Sequence, residues 1–232
     1  LNNWDVANVT HMKQMFRGAS LFNQPLNSWN VGKVTNMDYM FDRASLFNQP
    51  LKDWDVSNVT IMRNMFFYAP FNQSLNSWNV EKVTNMQNMF YNTPFNEPLN
   101  SWNVSNVTNM SNMFSYSSFN QPLNSWNVEK VTTMQNMFYN TPFNQNISSW
   151  NVSSATHMLN IFNGTDLSTI YIDDISNSWV PQLDSTAQDQ LMNSLYSVLN
   201  NVVYIDDLSG YRLDDLTLDI SNSRIEDFDS DI

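Results

Sequence analysis

The sequence predicts an α/β repeat solenoid that ends in a C-terminal cap. Tryptophans recur at residues 4, 29, 54, 78, 102, 126 and 150, spaced by 25, 25, 24, 24, 24 and 24 residues. Residues 81–96 and 129–144 differ at one position in sixteen. Thirteen of the 14 methionines fall in two columns of the aligned repeats. Such recurrence indicates that each apolar side chain fills the same place in successive stacked coils.

The repeat unit reads L-x-x-W-[DN]-V-x-x-V-T-x-M-x-x-M-F, followed by a loop of variable length and F-N. Six full copies begin at the tryptophans from residue 4 to residue 126, and a shorter seventh runs from Trp150 to about Thr165. Residues 1–165 are therefore predicted to form a solenoid of coils that contain 24–25 residues each. Residues 166–232 are predicted to form a separate capping region.

Each coil is predicted to contain one short parallel strand. Trp29 and Val31 alternate with Ser28 and Asn30, which is the period-two pattern of a half-buried strand.

Each coil is also predicted to contain a short helix or 3₁₀ turn. Val34, Met37, Met40 and Phe41 have the spacing i, i+3, i+6, i+7 of one helical face. The preceding threonine is placed as an N-cap, and capping boxes are predicted at residues 84–87 and 132–135. One strand and one helical turn per coil is the arrangement of leucine-rich repeats.

The motifs WDVSNVT (54–60), M-x-x-M-F and F-N-Q-x-L resemble the repeat of mycoplasma surface lipoproteins. That repeat is related to the BspA-like leucine-rich-repeat surface proteins. The resemblance covers residues 1 to about 165. It implies a solenoid that stands on a cell surface, in a class found in bacteria, protists and large DNA viruses. Some members of the class are adhesins.

Charge is distributed unevenly along the chain. Residues 1–165 hold eight acids and eight bases, whereas residues 166–232 hold 14 acids and two bases, which accounts for the net charge of −12. Neither part is suited to bind nucleic acid. No apolar run reaches the ~18 residues of a membrane helix. The absence of cysteine excludes thiolate metal sites and cysteine nucleophiles.

The acidic C-terminal region is predicted to contain one helix, at about residues 185–199, with Ser185 as its N-cap. Residues 167–172 and 213–218 keep an L-x-x-Φ-x-Φ pattern, where Φ is apolar, and are predicted to be degenerate coils. Asp227, Asp229 and Asp231 alternate as at the start of a calcium loop, but the glycine and the final glutamate of that loop are missing. The alternative is a solvated acidic end.

The candidate partner-binding surface is the outward face of the predicted strands, here named the polar ribbon. It consists of Ser28, Asn30, Asp53, Asp55, Ser77, Asn79, Ser101, Asn103, Ser125 and Asn127. In a leucine-rich repeat this face is concave, and repeat proteins bind partners there. Hydroxyl and amide groups suit a protein or a glycan. The alternative is a face that only contacts water.

Two further columns are polar. The asparagines that follow the second phenylalanine of each coil are expected to form a hydrogen-bonded ladder. His11 and His157 share one column six coils apart, which at about 5 Å per coil separates them by about 30 Å and excludes a shared metal site.

These observations favour a non-catalytic, surface-exposed repeat protein that mediates protein–protein or adhesive interactions and needs no cofactor. The alternative is a structural component of a larger assembly, such as a virion or a cell-surface layer. Further coils or a neighbouring subunit are expected against the coil that starts at Trp4. An enzyme would need acids clustered on adjacent coils, and only Asp53 and Asp55 come near that arrangement. The expected location is the cell surface or the extracellular space, or alternatively the virion.

Overall fold

The computed structural model describes the backbone of residues 4–202 and the side chains of residues 4–200. Helix α1 spans Thr169–Trp179, a 3₁₀ turn spans Val180–Gln182, and helix α2 spans Ser185–Val202. Residues 4–168 contain turns and isolated parallel bridges but no helix. Below, repeats 1 to 7 are numbered by their tryptophans, from Trp4 to Trp150, and each includes the three residues before its tryptophan.

Successive repeats are joined by backbone hydrogen bonds along one side of the stack. Parallel bridges connect the residue before the first methionine of each repeat, in the order His11, Asn36, Ile61, Asn85, Asn109, Thr133 and His157. Between repeats 1 and 2 the bonds are Thr35 N to Thr10 O, Met12 N to Asn36 O, Gln14 N to Asp38 O, Phe16 N to Met40 O and Gly18 N to Asp42 O. The same five positions are used between every later pair. The bridges therefore do not lie in the L-x-x-W-x-V segment, where the sequence predicts the strand.

The sequence predicts a short helix or 3₁₀ turn at the M-x-x-M-F motif, where the structure has tight turns. The Met15 and Ala19 amides donate to the carbonyls of Met12 and Phe16, three residues earlier, which closes tight turns instead of an α-helix. Gln14 and Gly18 have φ of 61° and 68°, as the third residue of a type II turn requires. Because alternate N–H groups donate to the next repeat, they are not free to form helical bonds.

The predicted capping boxes are also absent. The hydroxyls of Thr84 and Thr132 donate to the carbonyl of the corresponding threonine in the preceding repeat, at 3.2 Å and 3.1 Å. The Oδ1 atom of Asn85 instead accepts the Gln87 amide at 3.0 Å. The threonine column therefore reinforces the contact between repeats.

The apolar columns form one core. The tryptophans of repeats 2 to 7 are at most 5% exposed, which confirms their predicted burial, whereas Trp4 is 54% exposed. The rings of Trp102 and Trp126 are 6.4 Å apart and almost parallel. The Trp102 indole N–H donates to the Leu75 carbonyl of the repeat before at 2.9 Å. Each tryptophan of repeats 3 to 7 makes the equivalent bond.

The predicted asparagine ladder is present. The backbone N–H of Asn48 donates to Asn23 Oδ1 at 3.0 Å, and the equivalent bond recurs in each later repeat. The last bond of the ladder runs from the backbone N–H of Ser168 to Asn144 Oδ1. In four repeats the following glutamine side chain donates to the same oxygen. The ladder therefore fastens the loop of each repeat to the next one.

The C-terminal helices cover repeat 7. Gln190 Oε1 accepts the Met158 amide at 2.7 Å, and Ser194 Oγ accepts the Phe162 amide at 2.8 Å. In repeats 1 to 6 the amides at these two positions donate to a carbonyl of the next repeat. Two side chains one turn apart on α2 thus replace the carbonyls of a further repeat.

Two expectations for this region need correction. Residues 167–172 are not a degenerate coil, because α1 begins at Thr169 and buries Ile172, Ile175 and Trp179 with helical spacing. The N-cap of α2 is Asp184 rather than Ser185, since the Asp184 carboxylate accepts the Ala187 amide at 2.8 Å. The predicted coil at residues 213–218 lies outside the described residues.

Candidate binding surface

All ten residues of the polar ribbon are exposed. Each repeat places them on either side of a buried tryptophan, as Ser101 and Asn103 flank Trp102, which is 3% exposed. The following valine, Val104, is also buried. Alternation along this short segment therefore directs the indole into the core and the two polar side chains to the solvent.

The asparagines of the ribbon close local turns with one atom and leave another unpaired. The Oδ1 atoms of Asn30, Asn79, Asn103 and Asn127 each accept the backbone N–H two residues later, at 3.1–3.2 Å. Such side-chain turns are typical of asparagine. Their Nδ2 groups have no hydrogen-bond partner among the described residues. The ribbon therefore presents a row of amide donors to the solvent.

The serine side of the ribbon links neighbouring repeats. The hydroxyls of Ser77 and Ser125 donate to the carbonyls of Lys52 and Asn100, both at 2.9 Å. At Ser101 the backbone N–H makes the link instead of the hydroxyl, and it donates to Asn76 Oδ1 at 3.0 Å. As acceptors, the serine oxygens remain available in all these repeats.

Repeat 3 carries the acids of the ribbon. The side-chain amide of Asn27 donates to the Asp53 carboxylate. Hydrogen bonds from the Ser57 hydroxyl and from its backbone N–H lower the pKa of Asp55. Asp53 lines a shallow surface depression with Pro25, Asn27 and Ser28. This repeat offers acceptors where its neighbours offer amide donors.

The ribbon is separate from the column of backbone bridges. Equivalent tryptophan rings are 6.4 Å apart, whereas hydrogen-bonded parallel strands are about 4.8 Å apart. The backbone bridges join residues of the Thr-x-Met segment, such as Asn109, and no described bridge includes a ribbon residue. The ribbon therefore does not lie on the bridged segment, whereas its position on a concave face stays a prediction.

A second, partly exposed surface was not predicted from the sequence and is here named the aromatic lane. Its ring centroids are 4.9–5.5 Å apart from one repeat to the next. It consists of Phe67, Tyr68, Tyr91, Tyr116 and Tyr139. Tyr68 and Tyr116 have φ near +57°, a conformation in which the other repeats place glycine, asparagine or, in one repeat, Arg43. That unusual choice of residue is the sequence signal that could have revealed the lane.

Arg43 extends this surface toward repeat 1, because its guanidinium group lies 5.3 Å from the centre of the Phe67 ring. The guanidinium groups of Arg17 and Arg63 lie 5.1 Å and 5.2 Å from the centre of the Tyr39 ring. Arg63 also donates two hydrogen bonds to the buried carboxylate of Asp38, at 2.8 Å and 3.0 Å. Arg17 donates to the buried Asp42 at 2.8 Å. Each of these two buried carboxylates is thus paired with an arginine, because a buried charge that has lost its water needs a compensating partner.

The family described as "Mycoplasma protein of unknown function, DUF285" matches residues 1–94 and 68–175. Together these segments cover three quarters of the 232-residue chain. The chain belongs to the DUF285 family. No curated protein and no solved structure gives a significant match.

The DUF285 match includes the whole polar ribbon and the aromatic lane. It ends at residue 175, inside α1, so that α2 lies beyond it. The match establishes a repeat-containing protein. It carries no statement about what such repeats bind.

The other candidate sites of this DUF285 protein are not brought together. His11 and His157 lie at the two ends of the bridge column, and each contacts the hydroxyl of the preceding threonine at 2.9 Å. Within residues 4–200, no three histidine, aspartate or glutamate side chains are grouped to hold a metal ion. The calcium candidates Asp227, Asp229 and Asp231 lie outside the described residues. No helix in the described part of the chain is long and apolar enough to cross a membrane.

Proposed function

We propose that this DUF285 protein is a non-catalytic repeat solenoid that binds a protein partner through the polar ribbon. The observation that carries the proposal is the row of unpaired Nδ2 donors on Asn30, Asn79, Asn103 and Asn127, all on one exposed face. The indole columns beneath are buried, so the ribbon is held on a packed core. Preorganised donors of this kind reduce the entropy cost of binding.

The proposal includes a BspA-like, leucine-rich-repeat type of solenoid that stands on the cell surface or in the extracellular space. Its support is the residue resemblance of repeats 1 to 7, together with the coil-to-coil contacts described above. On such a surface the ribbon would mediate adhesion, and a glycan is the alternative partner.

Absence of reactive side chains along the ribbon fits a binding role better than catalysis. Asp53 and Asp55 stand on one repeat, and the neighbouring repeats carry serine and asparagine in the same columns. Acid–base hydrolysis of a polysaccharide would need two positioned carboxyl groups with different roles. The lowered pKa of Asp55 keeps that carboxyl ionised at neutral pH, which does not suit a general acid.

A binding assay with a steric block tests the proposal. Ser101 is exposed and its hydroxyl has no hydrogen-bond partner, so Ser101→Trp places a large ring on the ribbon without removing a contact. Ser118→Trp is the matched control, because Ser118 is also exposed but lies outside the ribbon. We expect the unchanged protein to bind at least one member of an array of extracellular-matrix proteins. The Ser101→Trp variant should lose this binding and the Ser118→Trp variant should keep it. Equal binding by both variants would refute the ribbon as the site.

Trp4 favours the second candidate, a structural component of an assembly such as a virion or cell-surface layer. Its half-exposed ring stacks on Trp29 at 6.2 Å, and no other ring among the described residues stacks on it. Further coils or a neighbouring subunit placed there would continue the tryptophan column. Light scattering of the purified protein over a hundredfold range of concentration distinguishes the two, since only an assembly component grows in mass.

A further inference from the structure

The spacing of the polar ribbon matches a simple structural period. Equivalent tryptophan rings next to the ribbon are 6.2–6.4 Å apart in four stacked pairs. An extended polypeptide rises by about 3.2–3.4 Å per residue, so two residues span about 6.6 Å. One repeat of this protein therefore corresponds to two residues of an extended strand that runs along the stack.

The hydrogen-bonding groups of the ribbon have the same period. In an extended strand, the N–H and C=O of every second residue point to the same side. Each asparagine repeat of the ribbon offers one Nδ2 donor and, two residues earlier, one serine oxygen, as at Asn103 and Ser101. A donor for a carbonyl and an acceptor for an amide are thus presented once per repeat.

The ribbon backbone does not use these groups to pair with itself. Neighbouring repeats are joined there through side chains, as by Asn76 to the Ser101 amide, while the backbone bridges lie at the Thr-x-Met segment. The Nδ2 groups of Asn79, Asn103 and Asn127 consequently stay unpaired across consecutive repeats.

We infer that the partner supplies an extended polypeptide segment that lies along the ribbon with two of its residues on each repeat. Carbonyls of alternate residues accept from the asparagine Nδ2 groups, and the amides of the same residues donate to the serine oxygens. The five ribbon repeats from Asn30 to Asn127 would hold about ten residues of such a segment. This inference rests on the proposed function and adds the class and the register of the partner.

Repeat 3 adds a sequence preference. Asp53 and Asp55 are exposed carboxylates in the places of serine and asparagine, so this repeat accepts hydrogen bonds and offers no amide donor. A lysine or arginine in the partner at this repeat would meet complementary charge. The structure therefore favours a segment with one basic residue toward the end that lies near Asn30.

A random 12-residue peptide library, displayed on phage and selected on the immobilised full chain, supplies the probe. The tightest peptide is synthesised with single backbone N-methyl groups at each position, which removes one N–H donor at a time. We expect loss of binding at alternate positions, by roughly threefold to tenfold or more per lost bond, and retained binding at the positions between.

Asn103→Asp keeps the turn-closing oxygen and removes the donor, whereas Asn100→Asp adds the same charge to an exposed neighbour whose side chain makes no hydrogen bond. Binding should fall in Asn103→Asp beyond the fall in Asn100→Asp.

The outcomes separate the two levels of the proposal. If a peptide fails to bind the Ser101→Trp variant but its N-methyl series shows no alternation in affinity, the two-residue register is wrong and the ribbon remains a binding surface. A glycan that binds the ribbon when no peptide does also refutes the inference while the proposed function stands. If peptides are selected and none responds to Ser101→Trp or Asn103→Asp, both the inference and the ribbon as the binding site are wrong.

Discussion

Trp179, in helix α1, stacks on Trp150 of the last repeat with ring centroids 5.9 Å apart and an interplanar angle of 10°. Its ring is fully buried. The tryptophan column thus continues into the cap, although Trp179 belongs to a helix and falls outside the 24-residue spacing. The cap shares the core of the repeats and does not merely shield their end.

Replacing Trp179 by alanine is expected to destabilise the protein by about 3–5 kcal/mol, because it removes a fully buried indole and leaves a cavity against Trp150. Urea unfolding followed by circular dichroism measures the change. Trp179→Phe retains a ring and should lose less. A loss below about 1 kcal/mol for the alanine variant would show that the cap is not part of the core.

Trp102→Ala is expected to cost a similar ~3–5 kcal/mol and to loosen both neighbouring repeats. The Trp102 ring stacks on Trp126, and its N–H satisfies the Leu75 carbonyl, so both sides lose a contact. Amide hydrogen exchange should rise in residues 78–101 and 126–149. Faster exchange confined to residues 102–125 would argue that each repeat is stable by itself.

The bond between Gln190 and the Met158 amide predicts a specific requirement for an acceptor. Gln190→Leu leaves that amide buried against the helix without a partner and should cost about 1–3 kcal/mol of unfolding free energy. Gln190→Glu keeps an oxygen acceptor and should cost less. Asn193→Ala, at an exposed position of the same helix, is the control. Equal losses in the two Gln190 variants would contradict the proposed role of the oxygen.

Two glycines with similar backbone angles should respond differently to alanine. Gly18 has φ +68° and open space around its missing side chain, so Gly18→Ala should cost only the ~1–2 kcal/mol of a left-handed conformation. Gly164 has φ +72°, and an added methyl group would lie 2.0 Å from Asn140 Oδ1. Gly164→Ala should therefore be the more destabilising change in thermal unfolding. Similar melting temperatures for the two variants would refute this contact.

Alkaline pH should weaken the aromatic lane. Burial raises the pKa of Tyr91, and the hydrogen bond with Tyr116 raises the pKa of Tyr139. The unfolded chain, in which tyrosine titrates near pH 10, then loses these protons first. The stabilisation that Tyr91 and Tyr139 give the folded protein through their raised pKa values is therefore complete below about pH 10. It declines as the pH rises through those raised pKa values. The unfolding free energy of a Tyr91→Phe, Tyr139→Phe double variant should decline less between pH 9 and 12 than that of the unchanged protein, by urea titration. Parallel declines would contradict the shifts.

The apolar columns could be predicted from the sequence because every repeat reports on them again. The local backbone conformation of each repeat could not be predicted in the same way. Met12, Met15 and Phe16 have a spacing that fits one helical face, but it also fits two consecutive turns that direct the same side chains inward. Asparagines such as Asn88 and Asn112, which occupy left-handed positions, were the available signal for turns.

The candidate surface was predicted in part. Alternation around Trp102 is sufficient to place Ser101 and Asn103 in solvent, and the structure has both exposed. Which of their atoms remain unpaired depends on neighbours 24 or 25 residues away, such as Asn76, and a single repeat cannot reveal these. The aromatic lane escaped prediction because Tyr91 and Tyr116 stand in adjacent columns rather than in one.

The direction of the backbone bonds gives the array a polarity. Four of the five bonds between repeats 1 and 2 run from an N–H of the earlier repeat to a carbonyl of the later one, and Gln190 and Ser194 accept the corresponding bonds at the far end. A duplicated or deleted 24-residue unit in the interior would meet the same partners on both sides. Array length is thereby free to vary in evolution, while the chemistry of the terminating helix stays fixed.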